Sequence, residues 1–74
     1  MEQTTPTANR AAQRVAEQIE ASGVTVVWLC EKTGIPRSTL LRRLNGHAPF
    51  TLSEIDRIAH ALRVSPDDLL GRAA

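Results

Sequence analysis

The sequence predicts an all-α fold, a compact bundle of about five short helices. Apolar residues recur at helical spacing in several segments, and residues that commonly begin or end helices separate those segments. The chain has 74 residues, of which 42% are hydrophobic and 3% aromatic. Its core must therefore be built mainly from Leu, Ile, Val and Ala, and the length suits one small domain.

The first predicted helix spans about 8–22 and ends at Gly23, which enters the left-handed conformation freely. Its apolar positions fall on one face and are Ala8, Ala11, Ala12, Val15, Ala16 and Ile19. Residues 1–7 are polar and contain threonine and proline. We therefore predict a flexible N-terminal tail over 1–7 and a single domain over 8–74.

The segment 24–29 is rich in β-branched residues, which by propensity alone favours a strand. No second segment offers a strand partner, and an unpaired strand would leave its backbone groups without hydrogen bonds. Thr25 is instead suited to cap a helix. We therefore predict a helix over 26–33 in place of the strand.

A turn and another helix follow. Gly34 suits a sharp turn, and Pro36 suits the first turn of a helix. This predicted helix spans 36–44 and ends at Asn45-Gly46. On one side we expect the apolar residues Leu40, Leu41 and Leu44, and on the others Arg37, Ser38, Thr39, Arg42 and Arg43.

The last two predicted helices have clear start signals. Thr51 and Glu54 form a T-x-x-E capping-box pattern before a helix over about 52–62. The apolar residues of that helix are Leu52, Ile55, Ile58, Ala59 and Leu62. Ser65 and the proline and two aspartates after it begin a short helix over 66–70, whose leucines close the core.

Positive charge is concentrated in one short segment, although the net charge of the whole chain is only +1. Residues 1–31 carry a net charge of −2, residues 32–53 one of +4 and residues 54–74 one of −1. The middle segment has no acid, and its cations are Lys32, Arg37, Arg42 and Arg43. Such a patch can neutralise nucleic-acid phosphates. A basic face that is simply solvated is the alternative.

Several functional classes find no support in the residues. Cys30 is the single cysteine, so an internal disulfide is excluded, and His47 and His60 are isolated from any metal-binding cluster. We see no nucleophile–base pair, carboxylate dyad or phosphate-binding loop, and predict no enzymatic activity, cofactor or small-molecule ligand. Neither a membrane span nor a signal peptide is visible, so we predict a cytoplasmic protein.

The run LCEKTGIPRSTLLRRLNG, with FTLSEIDRIAHALRVSPDDLL after it, resembles the Cro/cI-type (XRE family) helix-turn-helix DNA-binding domain of phage and bacterial regulators. The resemblance covers residues from about 10 to 70. Gly34 at the turn, Leu40 in the core and Gly46 after the second motif helix carry much of it. It implies a lambda-repressor-like fold with the motif at about 25–45.

The resemblance also implies that the helix over 36–44 enters the major groove of DNA. Positions that match base-contacting residues hold Arg37, Ser38, Thr39 and Arg42, and positions near backbone contacts hold Thr25, Arg43, Asn45 and His47. An arginine can bind guanine O6 and N7 bidentately. Helix capping is the alternative role of Ser38 and Thr39. Arg43 stands where the family usually has a core leucine, so a phosphate contact or a solvated charge fits there.

The implied function is that of a sequence-specific transcriptional regulator, a repressor or Cro-like protein. It would bind a pseudo-palindromic operator in double-stranded DNA as a homodimer. The alternative is a protein-interaction module, antitoxin-like or an adaptor, with the same fold. Its mark would be an extended apolar patch, for which Val26, Val27 and Trp28 are the candidates. For Trp28 we expect burial against a neighbouring helix rather than a dimer or DNA contact.

Overall fold

Five α-helices follow one another in the computed structural model, which describes residues 7–70. They are α1 (Thr7–Ser22), α2 (Val26–Thr33), α3 (Arg37–Leu44), α4 (Leu52–Leu62) and α5 (Pro66–Leu70). No strand occurs in this range, so the all-α prediction is confirmed. Residues 1–6 of the predicted tail lie outside the described residues, and Thr7 belongs to α1.

The predicted bounds of α2, α4 and α5 agree with the structure. The helix predicted over 36–44 begins one residue later, at Arg37. Pro36 has φ −59° and ψ 145°, which is extended rather than helical backbone, so it stands just before the helix. Its carbonyl oxygen still accepts the N–H of Leu40 at 2.9 Å and so begins the hydrogen-bond ladder of α3.

Caps at both ends fix the length of α2. The Thr25 hydroxyl oxygen accepts the N–H of Trp28 at 3.0 Å, which confirms the predicted cap. Gly34 lies in the left-handed region at φ 77°, and its N–H donates to the Cys30 carbonyl oxygen at 2.9 Å. Only the residues 34–36 therefore separate α2 from α3.

Both α4 and α5 begin with hydrogen bonds between side-chain oxygens and backbone N–H groups. The Glu54 N–H donates to the Thr51 hydroxyl oxygen at 3.1 Å, and the Thr51 N–H donates to Glu54 Oε1 at 2.9 Å, which confirms the capping box. At α5 the Asp67 N–H donates to the Ser65 hydroxyl oxygen at 3.2 Å, and the Ser65 N–H donates to Asp68 Oδ2 at 3.3 Å. Local sequence thus specifies both helix starts.

The core is aliphatic, as predicted. Its largest fully buried side chains come from every helix and are Val15, Leu29, Leu40, Ile55, Ile58 and Leu69. Helix α1 packs against α3, α4 and α5, while α2 packs against α3 and α4. Phe50 and Trp28 are partly buried against this core rather than inside it.

Two leucines that we expected on the apolar sides of their helices are exposed instead. Leu41 is 38% exposed and Leu52 is 74% exposed. Leu40 is fully buried, and because a helix turns by about 100° per residue, Leu41 points away from the part of the core that Leu40 occupies. Leu52 is the first residue of α4, and the buried apolar row of that helix begins one turn later at Ile55.

The left-handed conformation of Gly34 gives a stability prediction. A Cβ there would lie 3.9 Å from Arg57 Nη1, an ordinary contact, so Gly34→Ala tests backbone strain rather than a clash. We expect it to lower the free energy of unfolding by about 1 kcal/mol in chemical denaturation. Arg63→Gly, at a residue with φ 60°, should raise that free energy by a similar amount. A destabilising Arg63→Gly would contradict this account.

Candidate nucleic-acid interface

Helices α2 and α3 form a helix-turn-helix unit in which Thr33 makes the hydrogen bonds at the turn. The Thr33 hydroxyl donates to the Leu29 carbonyl oxygen at 2.7 Å and accepts the Ile35 N–H at 3.3 Å. From α4, Arg57 Nη1 donates to the Thr33 carbonyl oxygen at 3.1 Å. The last contact joins residues 24 apart in the chain, so nothing in the local sequence predicts it.

The predicted base-contacting residues lie on α3, and three of the four are exposed. Arg37, Ser38 and Arg42 face solvent, whereas Thr39 is half-buried. Leu40, on the opposite side of the helix, is fully buried in the core. The structure therefore brings Arg37, Ser38 and Arg42 together on one accessible face, with Thr39 at its edge.

No side chain caps the N-terminus of α3. Pro36 occupies the residue before the helix and makes no side-chain cap hydrogen bond. Ser38 and Thr39 lie inside the helix, so neither is its capping residue. The first N–H groups of a helix have no intrahelical acceptor, and here they remain available to an external acceptor such as a phosphate oxygen.

Three residues predicted to contact the DNA backbone stand at the ends of the motif helices. Thr25 is exposed at the start of α2. Asn45 is exposed at the end of α3, and its N–H donates to the Leu41 carbonyl oxygen at 2.9 Å. His47 is exposed in the loop that follows, with its N–H donating to the Arg42 carbonyl oxygen at 3.0 Å. The side chains of all three are accessible to a ligand.

Arg43, the fourth predicted backbone contact, forms an ion pair that we did not predict. Its Nε donates to Glu54 Oε1 at 2.9 Å, and its Nη2 donates to Glu54 Oε2 at 3.2 Å. The two side chains are only 20% and 9% exposed. Arg43 is therefore not simply a solvated charge, and the pair ties the last turn of α3 to the first turn of α4. The phosphate contact stays a prediction, with Nη1 as the nitrogen outside the pair.

Glu54 accepts hydrogen bonds from two partners. Its Oε1 receives both the Arg43 Nε–H and the Thr51 N–H, each at 2.9 Å. Hydrogen bonding from Arg43 holds the pKa of Glu54 below its usual value, against the opposing effect of burial, and Thr51 adds to the lowering. The same pairing raises the pKa of Arg43. The one sequence signal was an arginine where the family resemblance implies a core leucine, and it did not identify the partner.

Trp28 is half-buried and packs against the core, as expected. Lys32 lies one turn later, with Nζ 5.7 Å from the centroid of the indole ring. Val26 is also half-buried against the core, whereas Val27 is 50% exposed. These three residues therefore do not form the extended apolar patch that a protein-interaction module would need.

The described residues, 7–70, contain neither a metal-ligand cluster nor a membrane-spanning helix. No group of three or more His, Cys, Asp or Glu side chains in this range could hold a metal ion. No helix in the same range is both long and apolar enough to cross a membrane.

The lowered pKa of Glu54 predicts an acid-dependent loss of stability. The pKa is lower in the folded than in the unfolded state, so the stabilisation is full above the ordinary glutamate pKa. It is lost as the pH falls through the folded-state pKa. We expect Glu54→Gln, which preserves the capping pattern, to be less stable at pH 7, and the difference to shrink below about pH 4. Urea unfolding of both proteins across pH measures this, and a constant difference would contradict it.

Comparison with known proteins agrees with this geometry. A family model described as the Cro/C1-type HTH DNA-binding domain matches residues 14–74. No match is found among curated proteins or among solved structures. The match covers most of the chain, including all of α2, α3, α4 and α5. The chain therefore belongs to the Cro/C1-type HTH DNA-binding domain family, and the protein is a DNA-binding regulator.

Proposed function

We propose that this protein is a sequence-specific transcriptional regulator, a repressor or Cro-like protein of phage or bacterial origin, that reads the major groove with α3. The observation that carries the proposal is the two-sided character of α3. Leu40 is fully buried, while Arg37, Ser38 and Arg42 are exposed on the other side of this eight-residue helix. An α-helix fits the width of the B-DNA major groove.

In this proposal the exposed face of α3 contacts base edges. Arg37 and Arg42 each donate to guanine O6 and N7, the commonest specific contact of an arginine. The Ser38 hydroxyl can donate to or accept from a base edge. Thr39, at the half-buried edge of the face, reaches a base or a phosphate oxygen. These four residues set the sequence preference.

Phosphate contacts surround the base-reading face. Thr25, Asn45 and His47 contribute exposed polar side chains from the ends of α2 and α3. Arg43 contributes through Nη1, and the uncapped N–H groups of α3 add further donors. The net charge of +4 over residues 32–53 supports this arrangement even though Glu54 offsets the charge of Arg43, because phosphate neutralisation supplies the non-specific part of DNA affinity.

The proposal includes a homodimer on a pseudo-palindromic operator and a cytoplasmic location, where such DNA lies. The eight residues of α3 reach only a few base pairs. A two-fold dimer doubles the number of base pairs read and places the half-sites about one helical turn apart. That gain is needed because specific sites are typically bound about 10³-fold or more tighter than other DNA.

Selection of duplexes from a random DNA pool by the purified protein tests the proposal. The salt concentration is kept at about 0.1 M, because higher salt strongly weakens phosphate contacts. We expect enrichment of an inverted repeat with half-sites about one turn apart. Enrichment of a single half-site would contradict the dimer. No enrichment by a folded protein would overturn the proposal and favour the protein-interaction module.

Arg42 and Arg43 separate base reading from phosphate contact. Arg42→Ala should weaken binding to the selected site by about 1–3 kcal/mol and relax its sequence preference. Arg43→Ala should weaken all sequences alike and reduce the slope of log K against log salt by about one. Because it also breaks the ion pair with Glu54, Glu54→Gln is compared, which weakens that pair but keeps the arginine and should not reduce the slope. A salt series measures both, after circular dichroism has established that each variant is folded.

Arg14→Ala is the matched control, because it removes the same charge from α1, outside the basic segment. It should leave both the affinity for the selected site and the sequence preference close to those of the parent. Equal, salt-independent losses for Arg42→Ala and Arg43→Ala would contradict the two assignments.

A further inference from the structure

Leu41 has no part in the function proposed above, yet it lies on the helix that carries that function. Its side chain is 38% exposed, while the adjacent Leu40 is fully buried. A single exposed leucine is ordinary in a small protein and needs no explanation by itself. What matters here is the set of side chains around it.

The neighbours of Leu41 are residues proposed to contact DNA. Side chains three and four positions apart are neighbours on a helix surface, so Arg37 and Ser38 lie one turn before Leu41. Asn45 lies one turn after it, and the hydrogen bond from its N–H to the Leu41 carbonyl oxygen, at 2.9 Å, continues the helical spacing. All three neighbours are exposed. Leu41 is thus an apolar group inside a polar and cationic face.

We propose that Leu41 is a specificity-determining residue that contacts the C5 methyl group of a thymine in the major groove. The inference rests on the proposed function of α3. Thymine is the one base that presents an apolar group in that groove. A leucine side chain has no hydrogen-bonding group, so against cytosine it would cover the N4 amino donor without offering an acceptor. Leu41 therefore selects an A·T pair beside the base read by Arg37.

Contact with a second copy of the chain is the other way to cover an exposed leucine. In a two-fold interface centred on Leu41, the same surface of both copies would meet. Arg37 and Arg42 of one copy would then face the same arginines of the other, and such like-charge contacts are unfavourable. The charges around Leu41 fit a polyanion instead, which is what DNA supplies.

Replacement of thymine by deoxyuridine removes only the C5 methyl group and keeps the O4 acceptor, so it isolates this contact. Each thymine of one half-site of the selected operator is replaced singly, and Kd is measured. The proteins compared are the parent, Leu41→Ala and Leu52→Ala. Leu52 serves as the control, because it is a more exposed leucine outside α3.

We expect one position at which deoxyuridine weakens binding by the parent about three- to fivefold, as for the loss of one buried methyl group. Leu41→Ala should bind the thymine operator with a similar loss and show no further loss on the deoxyuridine operator. Leu52→Ala should keep the full deoxyuridine penalty. If thermal unfolding shows that Leu41→Ala does not fold, Leu41→Gln is used in its place. Leu41→Gln should likewise bind the thymine and deoxyuridine operators equally well.

Two outcomes would overturn the inference and leave the DNA-binding function standing. One is an operator whose half-site shows no enriched A·T pair. The other is a deoxyuridine penalty that is the same for the parent and for Leu41→Ala at every position. Failure of the parent to select any operator would overturn the proposed function itself, and this inference with it.

Discussion

Helix α3 has eight residues, and an isolated helix of that length is not stable in water. Its existence and its orientation therefore depend on contacts with the rest of the chain. Leu40 buries its side chain in the core that α3 shares with α1 and α2. The Arg43–Glu54 ion pair holds the last turn of α3 against the start of α4. The side chains of the proposed base-reading face therefore lie on a helix whose position depends on its contacts with α1, α2 and α4.

The Arg43–Glu54 pair fixes the position of α3 relative to α4. Removing both charges from water offsets much of their attraction. The two hydrogen bonds, however, require Nε and Nη2 of Arg43 to meet both carboxylate oxygens, which restricts how α3 and α4 can lie relative to each other. Glu54 is itself fixed by the Thr51 N–H. The capping box of α4 therefore also positions the end of α3.

The helices could be predicted from the sequence because their ends are set by local chemistry. The capping residues bond to backbone groups within four residues of themselves, so the local sequence identifies them; they are Thr25, Gly34 and the Thr51–Glu54 pair. The exposure of Leu41 could not be predicted, because three leucines in a five-residue span allow more than one face of the helix to be buried. The partner of Arg43 lies 11 residues away across a loop, so only the folded chain reveals it.

A net charge of only +1 bears on how such a domain discriminates between DNA sequences. The acids that outnumber bases over 1–31 and 54–74 weaken attraction to DNA everywhere except around the segment 32–53. In the proposed function, the low net charge keeps non-specific affinity modest and leaves selectivity to the contacts with base edges. A face whose only large side chains are arginines would favour guanine, and it would also bind the phosphates of any DNA sequence. The contact proposed for Leu41 would make a wrong base costly at one more position, since a leucine covers polar groups with which it cannot form hydrogen bonds.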